Sequence, residues 1–239
     1  MLSDLKATYN EQRAKFNVSD ATIPRPRMDQ DWWKKRHQQK VKEARNAKDV
    51  GILFLGDSIT HGWEGAGKAT WEKYYAKRNA LNLGFGGDRT QHLNWRLLNG
   101  ELPENVNPKV AVIMIGTNNT GHVMQAANET AAGIGRVVEI LRDRRPDTKI
   151  LLLGIFPRDP QPNGKGRTRN REVNALASKL ADGKMIHYMD LADTFLDENG
   201  RLTKEIMPDF LHPKEKGYAL WAEAIEAKLC ELGGWDPIK

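Results

Sequence analysis

The sequence predicts an α/β protein, a three-layer α/β/α sandwich on a five-stranded parallel sheet. Five short apolar runs alternate with segments of helical periodicity. The runs are apolar at nearly every position, as expected for parallel strands that are covered on both faces. Five consecutive strand–helix units place helices on both sides of the sheet, because such crossovers are right-handed.

Each strand and helix follows from this alternation. The predicted strands are the apolar runs Gly51–Leu55, Ala80–Leu83, Val110–Ile115, Ile150–Phe156 and Ile186–Leu191. The predicted helices are at about Lys68–Arg78, Thr90–Leu98, Gln125–Arg144, Thr168–Leu180 and Pro213–Leu232. The third helix keeps its apolar residues in helical register and stops before Pro146, which cannot continue a helix.

Residues 1–49 are predicted to be an N-terminal arm and helix that pack on a main domain of residues 50–239. They are rich in Lys, Arg, Gln and Asn, and contain no strand-like apolar run. Because the segment has too few apolar residues for a core of its own, we expect at least one of Trp32 and Trp33 to be buried against the main domain.

The composition excludes several classes of protein. Lys and Arg exceed Asp and Glu by 37 − 31 = 6 in the 239 residues, a mildly basic balance. The single cysteine, Cys230, rules out an intramolecular disulfide framework and any multi-cysteine zinc site. No apolar run approaches the roughly 18 residues of a membrane span. The N-terminus lacks the apolar stretch of a signal peptide, so we expect a soluble protein, cytoplasmic or a mature secreted or periplasmic form.

Chemistry-bearing residues follow the first three strands, where the active sites of parallel sheets lie. Ser58 comes directly after the first strand, in Gly56-Asp57-Ser58, where a helix start would favour a developing negative charge. A glycine-rich turn that includes Gly87 follows the second strand and can expose backbone N–H donors. Asn118 follows the third strand, with a side-chain amide that can donate to an oxyanion.

An acid and an imidazole complete the set near the C-terminus. Asp209 precedes His212 by three residues, a spacing at which a carboxylate can reach the imidazole and hold its tautomer. Taken singly, Ser58 also fits a helix cap, the glycines and Asn118 fit ordinary turns, and the Asp–His pair fits a solvated surface. Together, in the order Ser, Asp, His at one rim of the sheet, they indicate nucleophilic hydrolysis.

Four ordered motifs resemble the conserved blocks of the GDSL/SGNH hydrolases. The matching residues are Gly56-Asp57-Ser58, Gly87 within Asn82–Asp88, Gly116-Thr117-Asn118, and Asp209 with His212. The resemblance covers about residues 50–232. It is closest to the catalytic subunits of platelet-activating-factor acetylhydrolase and their bacterial acetylesterase-type relatives. Many other superfamily members carry Asn-Asp in the third block, where this chain has Asn118-Asn119.

The resemblance implies the flavodoxin-like SGNH hydrolase fold and a serine esterase that needs no cofactor and no metal. Ser58 would be the nucleophile, His212 the base and Asp209 the residue that orients the base. The oxyanion hole would consist of the backbone N–H groups of Ser58 and Gly87 and the side chain of Asn118. The implied reaction is hydrolysis of short-chain acetyl esters, of carbohydrates in the first instance. The alternative is a lipid-directed acylhydrolase of the platelet-activating-factor acetylhydrolase, lysophospholipase or thioesterase type.

The substrate contacts and partners are expectations of a weaker kind. Asp57 and Trp63 are candidate substrate-binding residues, with Trp63 either stacking on a sugar ring or packing between helices. A basic loop at residues 158–171 could attract an anionic alcohol portion or be a solvated loop. We expect a monomer or homodimer, acting on a small-molecule or carbohydrate ester.

Two rival classes are disfavoured. A metal-dependent hydrolase is disfavoured because the histidines show no paired ligand spacing. Nucleic-acid binding is disfavoured because acidic residues interrupt the basic N-terminal helix and no known binding module is visible.

Overall fold

One parallel sheet forms the centre of the molecule in the computed structural model, which describes residues 19–238. The strands are β1 (Ile52–Gly56), β2 (Leu81–Gly84), β3 (Val110–Met114), β4 (Lys149–Leu153) and β5 (Ile186–Met189). Their order across the sheet is β2-β1-β3-β4-β5, and every neighbouring pair is parallel. The predicted fold class and its five strands are confirmed. Residues 1–18 of the predicted N-terminal segment lie outside the described part of the chain.

Helices cover both faces of the sheet. In chain order they are α1 (Asp31–Asn46), α2 (Ser58–His61), α3 (Lys68–Tyr74), α4 (Thr90–Leu98), α5 (Thr117–His122), α6 (Ala127–Arg144), α7 (Lys165–Ala177) and α8 (Glu215–Gly233). The predicted basic loop 158–171 is wrong in its second half, because α7 begins at Lys165. None of the helices in residues 19–238 combines the length and apolar character that crossing a bilayer requires.

Two apolar layers explain why the strands are apolar at successive positions. Neighbouring residues of a strand point to opposite faces of its sheet. Phe54 of β1 packs in a layer that contains Tyr218 and Trp221 of α8. The next residue, Leu55, packs in the other layer, which contains Leu97 of α4. Both strand residues are 1% exposed or less, so the sheet contributes its core side chains to both faces.

Helix α1 docks on this framework through polar contacts as well as apolar ones. Trp33 is fully buried, and its Nε1 donates to Asp88 Oδ1 at 2.8 Å. One turn later, the Nδ1 of His37 lies 2.8 Å from Glu101 Oε1, and the His37 ring stacks on Trp33 at 5.6 Å between centroids. Trp32, by contrast, is 44% exposed. The two adjacent tryptophans therefore occupy opposite environments.

This difference provides a matched test of the docking. We expect Trp33→Phe to lower the free energy of unfolding by about 1–3 kcal/mol, because one aromatic ring is kept while the buried carboxylate of Asp88 loses a donor and part of the buried indole is removed. Trp32→Phe is the control and should change stability by less than about 0.5 kcal/mol. Urea unfolding followed by circular dichroism measures both variants. Equal effects of the two substitutions would contradict the docking role of Trp33.

Candidate active site

Ser58 is placed at the sheet edge by a very short connection between β1 and α2. A Cβ atom on Gly56 would lie 2.1 Å from Thr60 Oγ1 and 2.4 Å from the carbonyl oxygen of Met114, so only glycine permits this close approach. Asp57 caps α2 by accepting a hydrogen bond from the backbone N–H of Ile59 at 3.0 Å. Ser58 is then the first residue of the helix, with its side chain at the rim of the sheet.

His212 faces Ser58 from the loop that precedes α8. The Oγ of Ser58 lies 2.8 Å from His212 Nε2, and His212 Nδ1 lies 2.6 Å from Asp209 Oδ2. The other oxygen of Asp209 accepts the backbone N–H groups of Leu211 and His212, at 3.1 and 2.8 Å. The structure thus brings the predicted serine, imidazole and carboxylate into one chain of hydrogen bonds.

The loop between the acid and the imidazole is held in a tight turn. Phe210 has a φ of 57°, a left-handed conformation that costs a non-glycine residue about 1–3 kcal/mol. Partial burial acts to raise the pKa of Asp209, but the hydrogen bonds from His212 outweigh it and lower that pKa below its ordinary value. Asp209 is therefore ionised at neutral pH, and it accepts the hydrogen bond that selects one tautomer of His212.

Three candidate hydrogen-bond donors, Ser58 among them, lie just after the ends of neighbouring strands. The backbone N–H groups of Ser58 and Gly87 donate to no group within residues 19–238, and Gly87 has the positive φ of 69° that favours glycine. Asn118 is buried, and its Nδ2 donates to the backbone carbonyl of Asp88 at 2.9 Å. That bond uses one of the two amide hydrogens of Asn118 and leaves the second available.

A buried charged network behind the glycine-rich turn was missed by the sequence reasoning. Asp88 follows Gly87 and accepts hydrogen bonds from Trp33 Nε1, from Arg96 Nε at 2.8 Å and from Arg27 Nη1 at 3.2 Å. Arg96 is fully buried and also forms an ion pair with Glu101. The sequence shows that α4 carries many polar residues. Only the structure shows that most of them are buried.

Arg27 was likewise missed, although it contacts the predicted oxyanion hole. Its Nη1 donates to the carbonyl of Gly86 at 2.9 Å and would lie 3.1 Å from a Cβ on Gly87. The N-terminal segment therefore reaches the site directly.

Neither candidate substrate contact is exposed in the structure, and for Trp63 the structure shows the second alternative, packing between helices. Trp63 is 1% exposed and lies among aromatic rings, with centroids 4.6 Å from Tyr218 and 4.8 Å from Trp221, so neither face of its indole can stack on a sugar. Asp57 is fully buried, with one oxygen bound to the N–H of Ile59. Both residues are buried beneath Ser58 and not exposed at the rim.

Asn119, next to Asn118, makes its hydrogen bonds within the fold. It is fully buried in α5 and accepts the backbone N–H of Thr90 at 3.1 Å. Its amide donates to Gln125 Oε1 at 2.7 Å.

Across residues 19–238, no group of three His, Cys, Asp or Glu side chains is arranged to hold a metal ion.

A parallel sheet that carries a serine, an imidazole and a carboxylate in one chain of hydrogen bonds at its strand ends is typical of an esterase-type hydrolase. The sequence profile of the GDSL-like lipase/acylhydrolase family matches residues 54–220, more than half of the chain. The chain belongs to this family, and it is a carboxylic ester hydrolase.

Individual relatives agree with this assignment. The chain is 35% identical over 204 residues to platelet-activating factor acetylhydrolase IB subunit alpha1 of Homo sapiens, covering 84% of each protein. A solved GDSL-like lipase from Bacteroides thetaiotaomicron has a TM-score of 0.65 at 19% identity, covering 82% of this chain and 97% of that one. A catalytic mutant of Axe2, an acetylxylan esterase from Geobacillus stearothermophilus, has a TM-score of 0.61 at 16% identity, covering 81% and 98%.

The burial of Asp57 predicts a pH-dependent stability. Burial raises the pKa of Asp57 to about 7, and its Oδ2 has no hydrogen-bond partner within the described residues. An unfolded aspartate ionises near pH 4, so between about pH 4 and 7 the folded state binds more protons than the unfolded one, and stability falls as pH rises. Replacement by neutral asparagine removes this loss.

We therefore expect Asp57→Asn to gain stability relative to the unmodified protein, by about 2–3 kcal/mol, between pH 5 and pH 8. Urea titrations at the two pH values measure the difference. The control is Asp143→Asn, a change at an exposed residue of α6, which should show no such trend. A pH-independent difference for Asp57→Asn would contradict the assigned cause.

Proposed function

We propose that this enzyme hydrolyses short-chain esters, acetyl esters above all, through a Ser58–His212–Asp209 triad and an acyl-enzyme. The observation that carries the proposal is the unbroken chain of hydrogen bonds, 2.8 Å from Ser58 Oγ to His212 Nε2 and 2.6 Å from His212 Nδ1 to Asp209 Oδ2. These distances lie within the range in which a base can take the proton of a nucleophile.

The reaction follows from this geometry. Ser58 Oγ attacks the ester carbonyl carbon while His212 Nε2 takes its proton, which gives a tetrahedral oxyanion. The C–O bond to the alcohol then breaks, and His212 returns the proton to the departing alcohol oxygen. Water attacks the acyl-enzyme, with His212 again as base, and the carboxylic acid leaves as Ser58 is regenerated. The only co-reactant is water.

The oxyanion would be held by the backbone N–H groups of Ser58 and Gly87 and by the free amide hydrogen of Asn118. These groups follow β1, β2 and β3, which are adjacent strands of the sheet. The bond from Asn118 Nδ2 to the carbonyl of Asp88 supports the proposal, because it holds the amide still before charge develops.

A small acyl group fits the connections around Ser58. One residue separates β1 from α2, and two separate β3 from α5, so these two connections contribute little chain to enclose a long acyl tail. The relative from Homo sapiens is named an acetylhydrolase, which supports an acetyl group as well.

For the alcohol part we propose a carbohydrate. The likeness to a solved acetylxylan esterase motivates this choice at the level of the fold. The second candidate is a lipid-directed acylhydrolase, favoured by the printed name of the 35% identical human relative. The two candidates share the same triad chemistry and differ in the group that leaves and, for lysophospholipase and thioesterase types, in the length of the acyl chain.

The mechanism is tested by replacing its two reacting side chains. Ser58→Ala and His212→Ala should each lower kcat for a chromogenic acetyl ester by about 10⁴–10⁶-fold and leave the circular dichroism spectrum unchanged, because the members of a triad act as a unit. Ser178→Ala and His187→Ala are matched controls outside the site and should retain full activity. A folded Ser58→Ala enzyme with normal activity would overturn the serine mechanism.

The substrate is tested in the same assay with a series of acyl chains. We expect kcat/KM to be highest for acetyl and to fall beyond about four carbons; a long apolar cleft would instead gain about 0.8 kcal/mol for each buried CH₂. Acetylated xylosides and an acetylated glycerophospholipid then compare the two alcohol classes. A preference for eight carbons or more, or for the phospholipid, would favour the lipid-directed candidate.

The role of Asn118 makes a separate prediction. If its free N–H binds the oxyanion, Asn118→Ala should lower kcat by about 10²–10³-fold with little change in KM. Asn118→Asp should be at least as harmful, because a carboxylate would repel the oxyanion. Asn46→Ala, at the far end of α1, is the control. A rise in KM at unchanged kcat would show instead that Asn118 binds the ground state.

A further inference from the structure

Two guanidinium groups bind the backbone beside the proposed oxyanion hole. Arg27 donates to Gly86 and packs on Gly87. Arg158 Nη1 donates to the carbonyl of Thr117 at 3.0 Å, one residue before Asn118. Both arginines are tied to the backbone next to an oxyanion donor, so their positive charges are fixed at the rim of the site.

A third arginine, Arg89, follows the same glycine-rich turn. Arg89 lies two residues after Gly87 and is partly buried, yet within residues 19–238 its guanidinium makes no hydrogen bond to a carbonyl or carboxylate and no ion pair. The neighbouring acids bind other groups, since Asp88 accepts from Arg96, Trp33 and Arg27. Asp20 lies 3.9 Å from Arg25.

Cations rather than acids dominate the surroundings of Arg89. Burial, Arg27 and Arg25 lower the pKa of Arg89 below its ordinary value, and they outweigh the opposite effects of Asp20 and Asp88. Burial lowers the pKa of His122 too, and Arg158, Arg89, Arg27 and His212 lower it further. The field of these arginines therefore extends over the same rim as the imidazole that faces Ser58.

An unpaired, partly buried guanidinium has a cost that an anion can remove. Arginine presents a planar set of donors that matches carboxylate and phosphate oxygens in pairs. Loss of hydration on burial is offset only when such a partner is present. No side chain in the described residues supplies that partner to Arg89, whereas a ligand in the site could.

We propose that Arg89, supported by Arg27, forms a subsite for an anionic group, a carboxylate or a phosphate, on the alcohol part of the ester. The inference rests on the proposed function, because it assigns the leaving group of that same reaction. Arg89 is a specificity residue in this scheme. It is absent from the chemical steps and acts only on esters whose alcohol carries a negative charge.

The kinetic test uses three acetyl esters that differ mainly in charge. They are meta-acetoxybenzoate, meta-acetoxyphenyl phosphate and the neutral methyl ester of meta-acetoxybenzoate. We expect the full-length enzyme to prefer at least one of the two anionic esters over the neutral ester by about tenfold or more in kcat/KM. Arg89→Gln should abolish that preference and leave the neutral ester unchanged, whereas Arg89→Lys should keep part of it. Added salt should reduce the preference, because it screens charge.

The matched control is Arg45→Gln. Arg45 is exposed at the last turn of α1, near the start of β1 and thus at the opposite end of the sheet from the site. It should leave all three rates unchanged. Equal rates for charged and neutral esters, or a preference that survives in Arg89→Gln, would overturn the subsite. The carboxylate and phosphate arms show which anion the subsite takes.

A binding measurement separates this inference from the proposed function. Inorganic phosphate is titrated into the full-length protein and the two glutamine variants by calorimetry. We expect Arg89→Gln to weaken phosphate binding by about tenfold and Arg45→Gln to leave it unchanged. If no ester is hydrolysed, the proposed function fails and phosphate binding alone decides the subsite. Equal phosphate affinity, or none, in all three proteins would then overturn it.

Discussion

The guanidinium of Arg96 is the buried charge on which the site end of the sheet depends. It is fully buried and donates to Asp88 Oδ2 at 2.8 Å. It also donates to the carbonyls of Leu83 and Gly56 at 3.0 and 3.3 Å, at the ends of β2 and β1. Loss of one member of such a buried set leaves uncompensated charge and costs about 3–5 kcal/mol. The turns that carry Ser58 and Gly87 are thus anchored to one group.

The N-terminal segment completes this arrangement from outside the family match. Asp88 would lack two of its donors without Arg27 and Trp33, and a buried carboxylate without donors is strongly unfavourable. Both residues precede position 54, where the family profile begins. The segment is therefore part of the electrostatic support of the site, and its two contacts converge on the residue next to Gly87.

The sequence predicted the strands well because the strands contribute apolar residues to both layers, as Phe54 and Leu55 do. Such strands are apolar at successive positions, which is visible in the sequence. The serine, acid and imidazole meet because parallel strands end at one rim. The Arg96–Asp88 pair could not be predicted, because each residue alone is typical of a surface and only the tertiary fold shows that they satisfy each other. The surroundings of Trp63 could not be predicted for the same reason, since distant segments supply the rings around it.

Consecutive asparagines join the second and third strand-end turns. Asn118 Nδ2 donates to the carbonyl of Asp88, while Asn119 Oδ1 accepts the N–H of Thr90. A carboxylate at position 119 could accept that N–H, but it could not donate to Gln125 as the amide does at 2.7 Å. The amide is thus required at both positions, and for different reasons. At 118 one hydrogen fixes the side chain on Asp88, and in the proposed mechanism the other binds the oxyanion. At 119 the side-chain oxygen and nitrogen both bond within the fold, to Thr90 and Gln125, and so hold the start of α5 against the second turn.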